Sequence, residues 1–299
     1  MGGGAQALPP FSSRMSSHLI QLPPVSGPVR ILSDLHLGHD MSTVRTVESL
    51  RPLISGAARV IFNGDTLQER AAAFRDRSQQ MTAELTALCE EEGAEAVFLR
   101  GNHDPTVWRW ELADLVEDRV TVTHGDVWLR LVSPWSLMMQ QYRQGLEAIH
   151  AEYDDAARRD LTVRFEILQR CRLALPPWET RQRGQSAVAR AALFCREIWP
   201  PRRPWEVLKV YVQLPAWAAE FVREFRPQSR VLVFGHTHRA TVWRRGGRLL
   251  VNTGAFVTFA SPAMVEIESG VLTVWRLAGH GGHWNKQRLL ATERLREPA

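Results

Sequence analysis

Residues 29–36 read Val-Arg-Ile-Leu-Ser-Asp-Leu-His, a short apolar run followed at once by an Asp-x-His pair, Asp34 and His36. Branched and long apolar side chains favour an extended, buried backbone, and the polar pair marks the point where a strand gives way to a loop. Ligands that follow strand ends are how an α/β sheet builds a site at its carboxyl edge. This stretch therefore predicts both a strand and the first part of a site.

Four further motifs repeat this arrangement, each directly after a run that predicts a strand. The motifs are Gly64-Asp65, Gly101-Asn102-His103-Asp104, His124-Gly125-Asp126 and Gly235-His236-Thr237-His238. The preceding runs are Val60–Asn63, Ala96–Arg100, Val120–Thr123 and Val231–Phe234. A set of unrelated turn residues would not be expected to supply every ligand in order, each after a strand.

The rest of the pattern predicts the fold class. Helical stretches are expected near Ser42–Ile54 and Ala71–Glu92, between the strands that carry the first three motifs. Beyond the last motif the strand-like runs are Ala240–Arg244, Arg248–Val251, Ala263–Ile267 and Val271–Arg276. Two layers of strands with outer helices would accommodate both halves. We therefore predict an α/β fold, a two-layered β-sandwich flanked by helices.

A helical insertion is expected between the fourth and fifth motifs. Helix-like periodicity runs through Leu137–Leu173, Gln185–Ile198 and Trp205–Phe225, and an insertion of roughly 90 residues is long enough to act as an active-site lid. Its tryptophans are expected to pack it against the body or to form an apolar lid: Trp135, Trp178, Trp199, Trp205 and Trp217. The predicted division is a disordered tail (1–28), a body (29–132 and 229–277), a helical cap (133–228) and a C-terminal tail (278–299).

Composition is that of an ordinary globular protein, with 44% hydrophobic and 23% charged residues. No stretch approaches the roughly 20 apolar residues of a membrane-spanning helix, and the start lacks the features of a secretory signal. Three widely separated cysteines, Cys89, Cys171 and Cys195, argue against a disulfide framework and fit a reducing compartment. A cytoplasmic location is predicted, with peripheral membrane contact left open.

The positive charge is concentrated in one segment. Residues 127–234 contain 17 Lys or Arg against 11 Asp or Glu, whereas the rest of the chain has 20 against 21. Nearly all of these cations are arginines, whose planar fork matches phosphate geometry. The segment can be interpreted as a solvated helical surface or as a contact surface for an anionic substrate.

Taken together, the five motifs resemble the calcineurin-like metallophosphoesterase superfamily, whose pattern runs D-x-H, G-D, G-N-H-D, G-H or H-G-D, and G-H-x-H. The resemblance covers residues 29–132 and 229–277. It implies two divalent metal ions. The first would be held by Asp34, His36, Asp65 and His238, and the second by Asp65, Asn102, His124 and His236. Imidazole and carboxylate ligands suit Mn, Fe or Zn better than Ca, and manganese is favoured.

The resemblance also implies a reaction, hydrolysis of a phosphate ester or anhydride by a hydroxide that bridges the metals. His103 would stay off the metals and assist the leaving group. Asp104 is expected to hold the other ring nitrogen of His103 and so fix its tautomer. Arg100 could reach a substrate phosphate or could be a surface charge. Asn252-Thr253-Gly254 resembles the family's Asn-Pro-Gly turn, with Thr253 in place of the proline.

The substrate class stays open at this point. Residues 33–37 together with a helical insertion are similar to UDP-2,3-diacylglucosamine pyrophosphatases, which act on a lipid-linked nucleotide, although that family usually has Arg in place of His103. Small phosphorylated molecules are an alternative, because nucleotide phosphatases, phosphodiesterases and protein phosphatases share the Asn-His-Asp form. An arginine-rich, aromatic insertion could instead follow a nucleic acid, as in a nuclease-like phosphodiesterase. A non-catalytic scaffold is less expected, because every ligand is present.

Overall fold

The computed structural model describes residues 18–129, 132, 137–176 and 202–295. The predicted helix Gln185–Ile198 lies outside the described residues, as do Cys195 and three of the tryptophans, Trp135, Trp178 and Trp199. Within the part of the chain that is described, no helix is both long and apolar enough to cross a membrane.

One six-stranded sheet carries the first three motifs. Its strands are β2 (Val29–Leu32), β3 (Arg59–Asn63), β4 (Glu95–Leu99), β10 (Ala263–Glu268), β11 (Val271–His280) and β12 (His283–Arg294). They lie in the order β12-β11-β10-β2-β3-β4. Strands β2, β3 and β4 are parallel, and β10 joins β2 in the antiparallel direction. The carboxyl ends of three neighbouring strands therefore meet at one edge.

A second six-stranded sheet carries the other two motifs. Its strands are β1 (Leu19–Gln21), β5 (Leu112–Leu115), β6 (Val120–Thr123), β7 (Val231–Phe234), β8 (Thr241–Arg245) and β9 (Arg248–Asn252). The order is β1-β5-β6-β7-β9-β8, with β6, β7 and β9 parallel. The predicted α/β fold with two layers of strands is confirmed.

The hydrophobic core lies between the two sheets, and both sheets are also covered on their outer faces. Ile31 and Ile61 point inward from the first sheet to meet Val122 and Val233 of the second. The alternate residue Phe62 faces outward and is fully buried beneath helices. Because these strands are buried on both faces, they read as continuous apolar runs rather than as alternating patterns.

Five α-helices cover these outer faces in the described residues: α1 (Arg51–Ile54), α2 (Arg75–Glu91), α3 (Leu137–Ala151), α4 (Leu161–Ala174) and α5 (Arg202–Phe225). The single helical stretch expected over Leu137–Leu173 is two helices. Asp160 caps the start of α4, where its carboxylate accepts hydrogen bonds from the backbone N–H groups of Thr162 and Val163 at 2.7 and 3.2 Å. This N-cap starts a new helix and explains the interruption.

The stretch predicted as helical at Ser42–Ile54 is helical only at its end. A 3₁₀ helix over Val47–Leu50 leads into α1. Ser42 donates its hydroxyl hydrogen to the carbonyl of Leu35 at 2.8 Å. The beginning of the stretch is therefore tied to the loop that follows β2 rather than to a helix.

The expected tails are partly wrong. Residues 278–294 are not a tail, because they continue β11 and form β12, an edge strand paired with β11. The exposed polar side chains of β12 conceal the strand signal. At the other end, β1 pairs in parallel with β5, so residues 19–21 belong to the second sheet, whereas residues 1–17 lie outside the described residues.

Candidate metal centre

The predicted ligands lie at the carboxyl edges of both sheets. Asp34 and His36 follow β2, Asp65 follows β3 and Asn102 follows β4, whereas His124 follows β6 and His236 and His238 follow β7. All of them are buried except His238, whose side chain is 39% exposed. The structure thus brings together seven side chains from five loops, at a position open to solvent on the His238 side.

A first cluster contains Asp34, His36, Asp65 and His238, whose ligand atoms all lie within 4.8 Å of one another. The Nε2 atoms of His36 and His238 are 3.2 Å apart. The Oδ1 atom of Asp34 is 3.3 Å from Nε2 of His238. These four residues are the first ligand set that the family resemblance implies.

A second cluster contains Asp65, His124 and His236. Nε2 of His124 lies 3.4 Å from Oδ2 of Asp65 and 3.2 Å from Nδ1 of His236. Oδ1 of Asn102 is 3.2 Å from the same Nε2 atom. Asp65 therefore belongs to both clusters, as a carboxylate that bridges two cations would.

The backbone at these positions adopts an unusual conformation. Five ligand residues have positive φ values: Asp34 (53°), His36 (47°), Asp65 (51°), His236 (67°) and His238 (57°). Residues other than glycine adopt this left-handed region rarely and at a cost in energy. Strain of this kind persists where the surrounding structure enforces it, and it concentrates at functional sites.

Two glycines allow the loops to approach closely. A Cβ atom at Gly101 would collide with the side chain and backbone of Asp65. A Cβ atom at Gly235 would collide with the carboxylate of Asp34 and with Ser33. These close approaches explain why a glycine comes directly before Asn102 and directly before His236.

The turn that follows β9 departs from the family pattern at Thr253, and the structure shows what threonine contributes there. Its backbone N–H donates to the carbonyl of Phe234 at 2.8 Å, a bond that proline could not make. Its hydroxyl lies 2.6 Å from the hydroxyl of Ser33. Thr253 thus ties the turn to the strands that precede Asp34 and His236.

The donor set fits divalent cations. Nδ1 of His124 is 3.1 Å from the carbonyl of Asn63, and Nε2 of His236 is 2.8 Å from the carbonyl of Val132. When one imidazole nitrogen donates to a carbonyl, the other nitrogen keeps its lone pair for a metal. In both histidines this second nitrogen points into the cluster that contains Asp65. The charge on a cation would also offset the cost of burying Asp34 and Asp65 so close together.

In the metal-free protein, a proton on His124 takes up part of the negative charge of the cluster. Burial disfavours a charged imidazole, but the carboxylates of Asp65 and Asp34 outweigh it and raise the pKa of His124 to about 10. Burial and the neighbouring His124 lower the pKa of His236 to about 4. At neutral pH, His124 therefore holds the proton that a cation would have to displace.

The structure corrects the role expected of Asp104. Its carboxylate accepts hydrogen bonds from the backbone N–H groups of Gly101 at 2.7 Å and Thr66 at 2.8 Å, and from the indole of Trp108 at 3.1 Å. The Nδ1 atom of His103 instead lies 2.8 Å from the amide of Gln68. A carboxylate next in sequence to a histidine need not face its ring, and Asp104 instead fixes the loops that carry Asp65 and Asn102.

Gln68 takes the position expected for Asp104, although no motif in the sequence points to it. One end of its amide lies 2.8 Å from Nδ1 of His103, and the other end lies 2.6 Å from Nδ1 of His36. Gln68 is buried. It therefore links a predicted metal ligand to the predicted catalytic histidine.

Arg100, considered as a possible substrate contact, is engaged with the protein. Its Nε donates to the carbonyl of Trp108, and its Nη1 lies 3.5 Å from Oε1 of Glu111. Its side chain is only 17% exposed. These contacts favour a structural role.

A buried ion-pair network, which sequence reasoning missed, connects α4 to the fourth motif. The guanidinium of Arg172 forms two hydrogen bonds with Asp126, at 2.8 and 2.9 Å, and two with Glu111, both at 3.0 Å. All three side chains are 1% exposed. Asp126, predicted to support the turn, thus forms a bidentate pair with the insertion, two residues after His124.

Two further contacts attach the end of α4 to the metal-site loops. Arg70, in the loop after β3, donates to the carbonyls of Arg172 and Leu175. Gln169 donates to the carbonyl of Pro105, in the loop after β4, at 2.7 Å. Helix α4 is therefore held by the loops that follow β3, β4 and β6, each of which carries a predicted ligand.

A comparison with known protein families is consistent with this geometry. The family model described as calcineurin-like phosphoesterase matches residues 27–240, more than half of the chain. The chain belongs to the calcineurin-like phosphoesterase family. No curated protein sequence matches this chain at a significant level.

Several solved structures resemble this chain at low identity. A Vps29 single mutant from Entamoeba histolytica is 13% identical, with 88% of this chain and 99% of that chain covered and a TM-score of 0.44. A predicted phosphoesterase from Streptococcus pneumoniae is 15% identical, with 87% and 97% covered and a TM-score of 0.36. A cold-active protein-tyrosine phosphatase from a Shewanella species is 11% identical, with 95% and 87% covered and a TM-score of 0.40. None of these similarities bears on the substrate.

Replacing Arg172 with Met should destabilise the protein by about 3–5 kcal/mol, because Asp126 would remain buried without its guanidinium partner and Glu111 would keep only the more distant Arg100. The measurement is urea unfolding of the metal-free protein. Arg170→Met is the matched control, because Arg170 lies on the same helix but pairs with the exposed Glu152, and it should cost at most about 1 kcal/mol. Equal losses in the two variants would contradict the role given to Arg172.

Metal uptake should release protons, and metal affinity should rise with pH. Since His124 is protonated below a pKa of about 10 in the metal-free site, a cation competes with that proton, and affinity should increase by up to about tenfold per pH unit between pH ~6 and ~8. Calorimetric titration of Mn²⁺ in two buffers of different ionisation enthalpy measures the protons released. A metal affinity that stays constant across this pH range would show that metal binding displaces no proton from His124.

Proposed function

We propose that this protein is a metal-dependent hydrolase of phosphate esters or anhydrides. One observation carries the proposal: two clusters of carboxylate and imidazole groups, buried except at His238, share Asp65 at the carboxyl edges of two sheets. The proposed ligands are the predicted ones: Asp34, His36, Asp65 and His238 for one ion, and Asp65, Asn102, His124 and His236 for the other. When bound, a pair of divalent cations would supply Lewis acidity that activates water and neutralises charge at phosphorus.

The role proposed for His103 follows from its hydrogen-bonded neighbours. His36 can offer Nε2 to a cation only if its Nδ1 carries the proton and donates it to an acceptor. The group within reach is the amide of Gln68, whose nitrogen lies 2.6 Å from this Nδ1 atom in the structure. A half-turn of the amide exchanges its nitrogen and oxygen and supplies the acceptor, an assignment that the hydrogen-bond network decides. The amide nitrogen of Gln68 then donates to Nδ1 of His103, which leaves the proton of His103 on Nε2.

A neutral His103 with its proton on Nε2 can donate to a leaving-group oxygen. Burial lowers the pKa of His103 below its ordinary value, so the neutral form dominates at pH 7. Its ring packs edge-on against His36, with ring centroids 4.9 Å apart. Through Gln68, a cation bound by His36 would therefore determine which ring nitrogen of His103 carries the proton.

A nuclease-like activity has less support than hydrolysis of a small phosphorylated molecule. Several of the arginines in the basic segment are paired with acids: Arg143 with Glu147, Arg158 with Asp155, Arg164 with Glu224, Arg170 with Glu152 and Arg226 with Asp114. Paired arginines contribute less to binding a nucleic-acid backbone than free ones. The lipid-linked nucleotide stays a prediction. A substrate panel under Mn²⁺, with aryl phosphate, aryl diester, a UDP-linked lipid analogue and single-stranded DNA, separates these classes.

Replacing Asp65 with Asn should abolish hydrolysis and reduce bound metal, because both clusters depend on this carboxylate. Aryl phosphate turnover and metal content by elemental analysis are the two measurements. Asp76→Asn, an exposed position on α2, is the control and should leave both unchanged. Full metal content together with full activity in Asp65→Asn would refute the proposed shared ligand.

Replacing His103 with Gln should lower kcat by about 10²–10⁴-fold while metal content stays at the wild-type level, because the group donates a proton without binding a cation. Gln68→Glu is the companion variant, since it keeps an acceptor for His36 but removes the donor to His103. This variant should also lower kcat. Metal loss in His103→Gln would mean that His103 is a ligand, and the proposed role would be wrong.

A further inference from the structure

A cleft of about 610 Å³ opens beside the exposed edge of the metal clusters. His238 forms part of its wall, and Arg239, Tyr211, Phe259 and Arg276 form other parts. Because His238 is a predicted ligand and its side chain is 39% exposed, the cleft is continuous with the site where a scissile phosphate would lie.

The charge on this wall has one sign. Among the described residues that line the cleft, two are arginines, Arg239 and Arg276, and none is a carboxylate. Neither arginine forms an ion pair within the described part of the chain. This contrasts with the paired arginines of the helices. A concave wall with unpaired guanidinium groups attracts an anion.

The hydrogen-bonding state of Arg276 also indicates a missing partner. Its buried Nε has no hydrogen-bond partner in the described residues. Its Nη2 makes one long hydrogen bond, 3.4 Å, to the carbonyl of Ala240. Buried donors are normally satisfied, so the guanidinium of Arg276 makes fewer hydrogen bonds with the described residues than its five N–H groups allow.

An exposed aromatic ring stands at the same cleft. Phe259 is fully exposed and has a left-handed φ of 69°, a conformation that is costly for a phenylalanine. The guanidinium of Arg239, also in the cleft wall, lies 5.9 Å from the ring centre of Tyr211, whose hydroxyl donates to the carbonyl of Thr237 at 3.0 Å. The cleft thus combines cationic groups with aromatic surface.

We propose that this cleft binds the non-reacting half of the substrate, a phosphate group held by Arg239 and Arg276 next to a flat ring that packs on Phe259. Arg239 lines the same cleft as His238, so an anion held there adjoins a phosphate at the metals. The substrate class is a nucleoside diphosphate or a similar aryl-bearing diphosphate. This inference rests on the proposed function.

The reaction is balanced without a further reagent. Water adds to the terminal phosphorus, and the bond between that phosphorus and the bridging oxygen breaks. The bridging oxygen takes up a proton, and inorganic phosphate and a nucleoside monophosphate leave. The second phosphate stays in the cleft throughout, so its arginines contribute to recognition rather than to bond breaking.

The first experiment measures anion binding without catalysis. Inorganic pyrophosphate is titrated calorimetrically into the protein in EDTA, for wild type, Arg239→Gln, Arg276→Gln and the control Arg245→Gln. Arg245 is exposed at the end of β8 and does not line the cleft. We expect Kd to rise about tenfold in each cleft variant, the effect of losing one charged hydrogen-bonding group, and to stay constant in the control.

The second experiment compares ADP with AMP under Mn²⁺. The ratio of their kcat/KM values should favour ADP by at least tenfold and should fall in Arg239→Gln but not in Arg245→Gln. Equal pyrophosphate affinity in all variants, or a ratio that Arg239→Gln leaves unchanged, overturns the inference. If pyrophosphate binding depends on the arginines but no phosphate ester or anhydride is hydrolysed, the anion subsite is supported and the proposed function fails. Because Arg239 is exposed, its variant also tests the idea should Arg276→Gln fold poorly.

Discussion

The left-handed backbone at the ligand residues is the constraint on which the rest of the site depends. Each such residue costs on the order of 1–2 kcal/mol, so the loops must be held from several sides. The backbone N–H of His36 donates to the carbonyl of Asp65 at 2.9 Å, and that of Asp34 donates to the carbonyl of Gly64 at 3.1 Å. The backbone N–H of His236 donates to the carboxylate of Asp34 at 3.1 Å. The loops therefore stabilise one another across both sheets, and no ligand adopts its position alone.

A second layer of side chains makes this arrangement rigid. Asp104 accepts hydrogen bonds from backbone N–H groups of two loops, and Gln68 forms hydrogen bonds with both His36 and His103. Arg172 connects the helices to the loop of His124 through Asp126. The seven proposed ligands are thus supported by polar groups that would not themselves touch a metal. Such outer contacts set the tautomer and orientation of ligands, and they explain how a site made from loops can be as well defined as the strands that carry it.

The sequence predicted the parts of this structure whose signals are local. Asp34 and Asp65 each follow an apolar run, so strand and ligand are visible together. The failures concern contacts between distant residues. Arg172 is 46 residues from Asp126 and 61 from Glu111, and nothing near it in sequence indicates either partner. Asp104 was assigned to its sequence neighbour His103, whereas Gln68, 35 residues away, makes that contact. Strand β12 was missed because an exposed edge strand has little apolar periodicity to detect.

The buried Arg172 also limits how such a chain can diverge. Glu111 and Asp126 belong to the sandwich, but their only described guanidinium partner at full burial comes from the inserted helices. A relative that lacked those helices would lose the Arg172 pair at both acids and would keep only the more distant contact of Arg100 with Glu111, 3.5 Å away. Removing a buried counter-charge costs about 3–5 kcal/mol, a large part of the stability of a typical domain. We therefore expect relatives with a shorter connection between β6 and β7 to have exchanged both acids for neutral residues, so that these three positions vary together or not at all.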